Sequence, residues 1–309
     1  MHEAKEKKNI VGYKTKSTTN TENTEYVERK KCAERKERIQ EYEEIAMNAF
    51  PAKHTEVYDG WILRYTDGYT YRGNSVNPMY SSVYSLEEKV IECEKRFHMQ
   101  GLPCVYKMTP VVEEGLDSLL ERYGYDIQKQ VYIMNMDLAM VSLEEEDREV
   151  NNKEQDTVEE IEIDKDKENE KRIEIATSNK MSDAWLEEFV VLNETSVEPT
   201  KSIAKDVLRR IINPVFCASI KKEGKVIACG LGVLERGKLG LYDIRVSEQE
   251  RHQGFGTQIC KQLLAEGKKA GAKEAYLQVS STNDNAVALY KKLGFAQCYT
   301  YWYRVKEME

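Results

Sequence analysis

The sequence predicts an α/β (α+β) protein of two units, each with a mixed sheet flanked by helices. Runs with strand-like and helix-like periodicity alternate over most of the chain, as in folds that pack helices on a sheet. With 309 residues, the chain is longer than one average domain and has room for two. An internal repeat, in which residues 60–138 match residues 230–308 at an offset of 170, indicates that the units share one fold.

The repeat consists of matching residues that align without a gap. The pairs are Gly60 with Gly230, Val76 with Val246, Gly101 with Gly271, Tyr106 with Tyr276, Leu119 with Leu289, Gly124 with Gly294 and Tyr125 with Phe295. Glycine is favoured just after a helix, where the backbone often turns left-handed. Because both copies have this requirement, we interpret the matches as a repeat and expect the same strand order in each.

The first unit is predicted over residues 34–140, after a polar extension at 1–33 that we expect to be flexible. Apolar side chains on one face predict a helix from Glu34 to Phe50, which Pro51 ends. The remaining predicted elements are strands at 61–65 and 69–72 around the turn Thr66-Asp67-Gly68, a helix at 86–99, a strand at 104–108, a helix at 113–123 and a strand at 130–137.

An acidic segment at residues 141–171 separates the units, and its composition predicts a solvated linker. The second unit is predicted over residues 172–309 and begins with a strand at 172–175. Its other elements are helices at 183–192 and 203–212, strands at 216–221, 226–234 and 238–246, a helix at 256–270, a strand at 275–279, a helix at 285–293 and a strand at 298–304.

Composition narrows the class of protein. The seven cysteines form no C-x-x-C pair and the four histidines have no metal-ligand spacing, so we expect a reducing cytoplasm and no metal site. A net charge of −8 gives no electrostatic reason to bind nucleic acid. No apolar run is long enough for a membrane span, and the polar N-terminus does not resemble a signal peptide. The oligomeric state stays open.

A strand followed by a glycine-containing turn carries the strongest functional signal. The strand 241–246 leads into Arg251-His-Gln-Gly254-Phe-Gly256-Thr257, which opens an amphipathic helix. Glycines allow a ligand to approach the backbone, and the unpaired amides of a helix N-terminus bind phosphate. A dinucleotide-binding G-x-G-x-x-G motif would need a third glycine where this chain has Ile259.

A second motif follows about thirty residues later, in the run Asn283-Asp-Asn285-Ala-Val-Ala-Leu-Tyr290-Lys-Lys-Leu-Gly294-Phe295. Together, R-x-x-G-x-G after a strand and this downstream helix resemble the GNAT superfamily of N-acyltransferases over about residues 172–305. The runs 60–64 and 72–77 resemble the leading domain of tandem bacterial GNAT proteins. The resemblance therefore implies a tandem GNAT-type fold with acetyl-CoA as acyl donor and an amine as acceptor.

The resemblance also implies the roles of individual residues. The cofactor would lie where the strands 241–246 and 275–279 diverge, against the backbone of Ile244, Arg245 and Val246. The amides of the turn would hold the pyrophosphate, and Asn283 and Asn285 would contact the cofactor beside Tyr290, which would protonate the departing thiolate. The turn residues in this set are Arg251, His252, Gln253, Gly254, Phe255, Gly256 and Thr257.

The general base is less well defined by the resemblance. Acetyltransferases of this family that act on protein N-termini carry a glutamate on the second diverging strand, where this chain has Gln278. An amide cannot accept the proton, so Asp243 is the best remaining carboxylate, with Glu250 second. Asp243 could equally be a solvated strand residue.

The first copy of the repeat lacks the residues of both motifs. Its counterpart of the glycine turn is residues 81–86, without glycine, while Leu120 and Glu113 replace Tyr290 and Asn283. We therefore predict a degenerate first unit that packs against or shapes the substrate site. The polar residues of 72–77 could contact substrate or cap turns.

We expect direct transfer of an acetyl group to a primary amine. The alternative is a non-catalytic acyl-CoA-binding or scaffold protein of the same fold. A hydroxyl acceptor or a longer acyl donor also stays open. The acceptor could be a small amine, an antibiotic, a polyamine or a protein.

Overall fold

The computed structural model describes residues 18–140, 158–159, 173–193 and 195–307. The helices are α1 (Thr18–Asn48), α2 (Leu86–Met99), α3 (Leu116–Arg122), α4 (Asp183–Leu192), α5 (Thr200–Arg209), α6 (Phe255–Lys269) and α7 (Asp284–Lys292). The strands are β1 (His54–Tyr58), β2 (Trp61–Tyr65), β3 (Ser75–Pro78), β4 (Cys104–Met108), β5 (Asp126–Asp137), β6 (Val158–Glu159), β7 (Ile173–Ser178), β8 (Val215–Lys222), β9 (Lys225–Glu235), β10 (Lys238–Val246), β11 (Glu274–Ser280) and β12 (Ala296–Lys306). Within these ranges, no helix combines the length and the apolar character needed to cross a membrane.

All these strands join one mixed, twelve-stranded sheet in the order β1-β2-β3-β4-β12-β5-β11-β10-β9-β8-β7-β6. The two halves of the chain occupy opposite ends of the sheet and meet at β12 and β5. In each half, a parallel pair (β3 with β4, and β10 with β11) follows an antiparallel hairpin. The predicted α/β class and mixed sheet are therefore confirmed, in a fold of tandem type.

The last strand of each half is exchanged between the halves. β5, from the first half, pairs antiparallel with β11, whereas β12, from the second half, pairs antiparallel with β4. The two exchanged strands also pair with each other. This exchange does not follow from the sequence pattern, and it means that each half completes the sheet of the other.

The repeat holds in element order, but the ungapped alignment is wrong between residues 66 and 85. Val76 pairs with Tyr106 in the first half, and its equivalent by register in the second half is Gly240, which pairs with Tyr276. The first half has the longer loop between its hairpin strands, at 66–74 against 236–237, and the shorter parallel strand, with 4 residues in β3 against 9 in β10. These length differences nearly compensate, so the offset of 170 returns from α2 onward.

The predicted strand at 69–72 is also wrong, because this segment is part of a loop from Thr66 to Asn74. The Asn74 side chain accepts hydrogen bonds from the amides of Thr66 (2.7 Å) and Gly68 (3.0 Å) and donates to the Thr70 carbonyl oxygen (2.8 Å). An asparagine that binds nearby backbone groups competes with strand pairing. The loop therefore folds on itself and projects its tyrosines and Arg72 towards the second half.

Helix α1 packs across both halves. Its predicted apolar face is buried, with Tyr42 fully enclosed, and Tyr42 lies 5.5 Å from the ring of Tyr276 and 6.4 Å from that of Tyr299. The helix begins at Thr18, earlier than the apolar pattern indicates. Residues 1–17 of the predicted extension lie outside the described residues, as does the predicted linker apart from 158–159. Within the linker, 158–159 form β6, which pairs with β7.

Candidate active site

Strands β10 and β11 diverge at the centre of the second half. They pair from Lys238 with Glu274 to Leu241 with Leu277, and no farther pair joins them. At the same point the register of β10 with β9 shifts between Tyr242 and Arg245, which places a bulge there. The backbone from 244 to 246 thus faces a gap between two parallel strands instead of a neighbouring strand.

Gly230 on β9 makes the bulge possible. A Cβ atom at this position would lie 2.5 Å from Ile259 Cγ2 of α6 and 2.7 Å from Ile244 Cδ1 on the bulge. Only glycine therefore lets α6 and the bulge approach the sheet so closely. The sequence repeat matched Gly230 with Gly60, but glycine is needed at position 60 for a different reason. Gly60 has a φ of +80° and packs against the backbone of Tyr80 and Ser81.

The turn before α6 presents the helix N-terminus to open space. His252 and Gly254 have left-handed backbone, with φ of 65° and 88°. A Cβ atom on Gly254 would meet nothing within 4 Å, so the turn is open on this side. Among the described hydrogen bonds, the first α6 amide to act as a donor is that of Gln258, to the Gly254 carbonyl oxygen. The preceding amides are thus open to an anion.

The side chains of the turn differ in what they can contribute. Phe255 is buried in the core, so only its amide faces outward. Arg251 and Gln253 are exposed and interact with Glu248 and Glu250, respectively. Gly256 lies close to the tip of Leu289, 3.3 Å from where a Cβ atom would be, so it permits tight packing of α6 on α7.

Tyr290 lies on α7 with 9% of its surface exposed, and its ring packs 6.0 Å from that of Phe295. Burial raises the pKa of Tyr290, so the phenol keeps its proton at neutral pH and above. Asn283 caps α7, because its side chain accepts a hydrogen bond from the Ala286 amide at 3.1 Å. Its side-chain NH₂ remains available to a ligand, and Asn285, two residues further along the chain, is exposed.

Asp243 lies on the bulge, with φ of 52° and 15% of its side chain exposed. Its carboxylate is 3.8 Å from the guanidinium of Arg72, which belongs to the loop between β2 and β3 of the first half. Arg245 points away from this pair, because its Nε donates to the Asn193 side chain at 2.8 Å. The sequence analysis left a substrate contact open for the polar residues of 72–77, but it did not place Arg72 beside Asp243, since neither motif contains Arg72.

Gln278 is held in place on β11. Its side-chain oxygen accepts a hydrogen bond from the Tyr301 hydroxyl at 2.7 Å, and Tyr301 lies on β12. Behind it, the ammonium of Lys107 lies 4.0 Å from the centre of the Tyr301 ring and pairs with the buried Glu43. The far wall of the gap is therefore a packed tyrosine layer, to which both halves contribute.

The equivalent turn of the first half is closed by the protein itself. The carboxylate of Asp59 accepts hydrogen bonds from the amides of Val83 and Tyr84, each at 3.0 Å. The fully buried Lys89 lies below, 3.4 Å from the same carboxylate and 4.0 Å from the centre of the Trp61 ring. An internal anion thus occupies the amides of Val83 and Tyr84, which match those of Gln253 and Gly254 at the offset of 170.

A mixed sheet whose parallel strands diverge at a bulge, beside an open helix N-terminus, defines an acyltransferase of the GNAT superfamily. A family model described as "Probable histone acetyltransferase Rv0428c C-terminal" matches residues 37–304. The chain belongs to this family. The match spans both halves, in agreement with the exchanged strands that join them.

The names of similar proteins also give an N-acetyltransferase activity. The chain is 26% identical over 269 residues to the "Uncharacterized N-acetyltransferase YobR" of Bacillus subtilis, covering 87% of this chain and 98% of the relative. Over 76 residues it is 30% identical to the "[Ribosomal protein bS18]-alanine N-acetyltransferase" of Escherichia coli, a match to 25% of this chain and 51% of that protein. With the family match, these relatives identify the chain as a GNAT N-acetyltransferase.

Solved structures agree on the fold. A GCN5-related N-acetyltransferase from Kribbella flavida superposes with a TM-score of 0.56 at 14% identity, covering 86% of this chain and 96% of that one. A tandem GNAT protein from the clavulanic acid biosynthesis pathway gives a TM-score of 0.57 at 10% identity, covering 86% and 87% of the two chains. The tandem arrangement therefore has a structural precedent.

Proposed function

We propose that the second half, residues 172–309, transfers the acetyl group of acetyl-CoA to a primary amine, and that the first half, residues 34–140, has no turnover of its own. The observation that carries this proposal is the gap that opens after Leu241 and Leu277, beside the open N-terminus of α6. In the first half, Asp59 fills the corresponding turn.

The donor would lie along this gap. The free amides at the start of α6 would bind the pyrophosphate, because they are unpaired and the helix dipole favours an anion there. The backbone of Ile244 and Val246 would pair with the pantetheine arm, in the place of a neighbouring strand. A backbone amide at the bulge would polarise the thioester carbonyl. Bound in this way, the donor supplies an activated acyl group.

The proposed reaction needs one base and one acid. The Asp243 carboxylate accepts a proton from the acceptor ammonium, and the amine nitrogen then forms a bond to the thioester carbon while the carbon–sulfur bond breaks. Tyr290 donates its phenolic proton to the departing thiolate and regains one as the new amide loses its second proton. The net products are an amide, CoA and one proton. The raised pKa of Tyr290 suits a group that must hold its proton until the thiolate forms.

The acceptor is not set by the names of the relatives. Those names refer to a histone and to an alanine of a ribosomal protein, whereas this chain has Gln278, paired with Tyr301, where a base glutamate would stand. We therefore propose a different amine as acceptor and Asp243 as base. We propose that the reaction takes place in the cytoplasm, because all seven cysteines are free, as is usual in a reducing compartment. The proposed reaction involves neither a metal ion nor a nucleic acid.

Thiol release from acetyl-CoA, measured against a panel of primary amines and paired with mass analysis of the product, tests the proposal. The wild-type chain should release thiol only with an amine present and should yield an N-acetyl product. Tyr290→Phe should abolish most turnover while CoA still binds. The matched control Tyr123→Phe changes a tyrosine after α3 of the first half and should retain full activity. Binding of CoA without turnover on any amine would contradict the proposal.

A further inference from the structure

Arg72 is held in an unusual state. Its side chain is 30% exposed and its guanidinium lies 4.5 Å from the centre of the Phe50 ring, yet within the described part of the chain it donates no hydrogen bond. A guanidinium has five N–H donors, and none of those of Arg72 is used by a described protein group. The groups that favour its charge include the Asp243 carboxylate and three phenols from β10 and β12, those of Tyr242, Tyr301 and Tyr303. The cations of Arg64 and Lys107 also lie near enough to interact with it. Its donors are therefore free to bind a ligand.

The Tyr303 hydroxyl is unpaired as well. Tyr303 is 3% exposed, and no described residue lies at normal hydrogen-bonding geometry to its hydroxyl, although the neighbouring Tyr301 phenol also acts on it. The ring packs 5.3 Å from that of Tyr71, in the same loop as Arg72, and the phenol interacts with the Arg72 charge. An unmade hydrogen bond of a buried group costs stability. The hydroxyl and the guanidinium thus point to one missing acceptor of hydrogen bonds.

We propose that Arg72 and the Tyr303 hydroxyl form an anion subsite that binds a carboxylate of the acceptor, whose amine lies on Asp243. This inference rests on the proposed acetyl transfer and names its acceptor class: a small molecule or peptide end in which a carboxylate is close to a primary amine. The guanidinium of Arg72 and the carboxylate of Asp243 are 3.8 Å apart. Two opposite charges at this spacing can bind the carboxylate and the ammonium of one zwitterionic acceptor.

The opposite charges of Arg72 and Asp243 also disfavour other classes of acceptor. A polyamine or an aminoglycoside would bring several positive charges towards Arg72, and a phosphate dianion would approach the Asp243 carboxylate. An acceptor with one carboxylate and one ammonium has each charge matched, the carboxylate by Arg72 and the ammonium by Asp243. When the acceptor carboxylate binds the guanidinium, the Asp243 carboxylate is left to face the acceptor ammonium. The first half then has a role in acceptor binding through its loop.

Matched acceptors test this subsite. Common L-amino acids, their carboxamides and the corresponding decarboxylated amines are compared in the thiol-release assay on the full chain. Because a hydrogen bond to a charged group is lost without the carboxylate, we expect kcat/KM to be about 10- to 100-fold higher for the free acids than for the amides. An equal or reversed preference would overturn the inference while leaving acetyl transfer intact. No turnover with any amine would instead refute the proposed function.

Variants of Arg72 and Tyr303 test whether these residues cause the preference for free acids. Arg72→Gln should remove the preference for the free acid, Arg72→Lys should restore part of it, and Arg209→Gln, an exposed arginine on α5, should leave it unchanged. Tyr303→Phe removes a hydroxyl that has no partner, so the melting temperature should stay equal or rise while the preference falls severalfold. CoA affinity should be the same in all of them. A full preference in both Arg72→Gln and Tyr303→Phe would show that these residues are only structural.

Discussion

Alanine at Gly254 separates the proposed phosphate-binding role of the turn from its folding role. Gly254 has φ of +88°, where an L-residue costs about 1–2 kcal/mol, and the added methyl group meets no protein atom within 4 Å. In the complex, the same methyl group would stand between the turn amides and the pyrophosphate. If one hydrogen bond to a charged oxygen is lost, at about 1.5–3 kcal/mol, the Kd for CoA should rise about 10- to 100-fold.

Gly271 provides the matched control for this change. It has φ of +89°, an added Cβ atom would also meet nothing within 4 Å, and it follows the C-terminal end of the same helix. The two glycines flank opposite ends of α6, which has 15 residues and is therefore about 22 Å long at 1.5 Å per residue. Gly254→Ala and Gly271→Ala should therefore lower the melting temperature alike, by a few degrees.

Calorimetric titration with CoA is the assay. Only Gly254→Ala should weaken binding, and Gly271→Ala should match the wild type. If both variants weaken CoA binding equally, the effect comes from backbone strain and the turn is not the phosphate site. Unchanged affinity in Gly254→Ala would refute the assignment directly.

Three further predictions follow from the site. Tyr290→Phe should lower kcat about 10²-fold while CoA affinity stays unchanged; a smaller loss would make Tyr290 structural. Because burial raises the pKa of Tyr290, its acid form persists through pH 10, so kcat measured from pH 8 to 10 should not fall through loss of this proton. Asp59→Ala leaves Lys89 buried without its carboxylate partner, so chemical denaturation should show a lower stability than that of the wild type; a stability equal to that of the wild type would contradict the view that Asp59 replaces a phosphate.

Local patterns predicted the elements that carry the motifs. The bounds of α2, β4, α4 and β10 agree with the sequence prediction, because each has a regular apolar period and a clear start or end. Ser85, for example, forms a capping box with Glu88 at the start of α2. The motif residues therefore came out on the expected strand, turn and helix.

Long-range features could not be predicted in the same way. The strands β5 and β12 have similar patterns, so nothing local tells which half each will complete. The loop containing Arg72 alternates tyrosine with other residues and looks like a strand, but the Asn74 side chain supplies hydrogen bonds that replace strand pairing. Because this loop was placed wrongly, the approach of Arg72 to Asp243 was missed.

The stoichiometry of cofactor binding tests the central claim most directly. Calorimetry of the full chain with CoA should give one site per chain, because the turn of the first half is closed by Asp59 and that of the second half is open. Ser82→Ala, a change in the closed turn that removes only a hydrogen bond to Glu113, should leave this site unaltered. Gly254→Val should abolish it. Two sites per chain, or one site that is sensitive to Ser82 and not to Gly254, would contradict the assignment of catalysis to the second half.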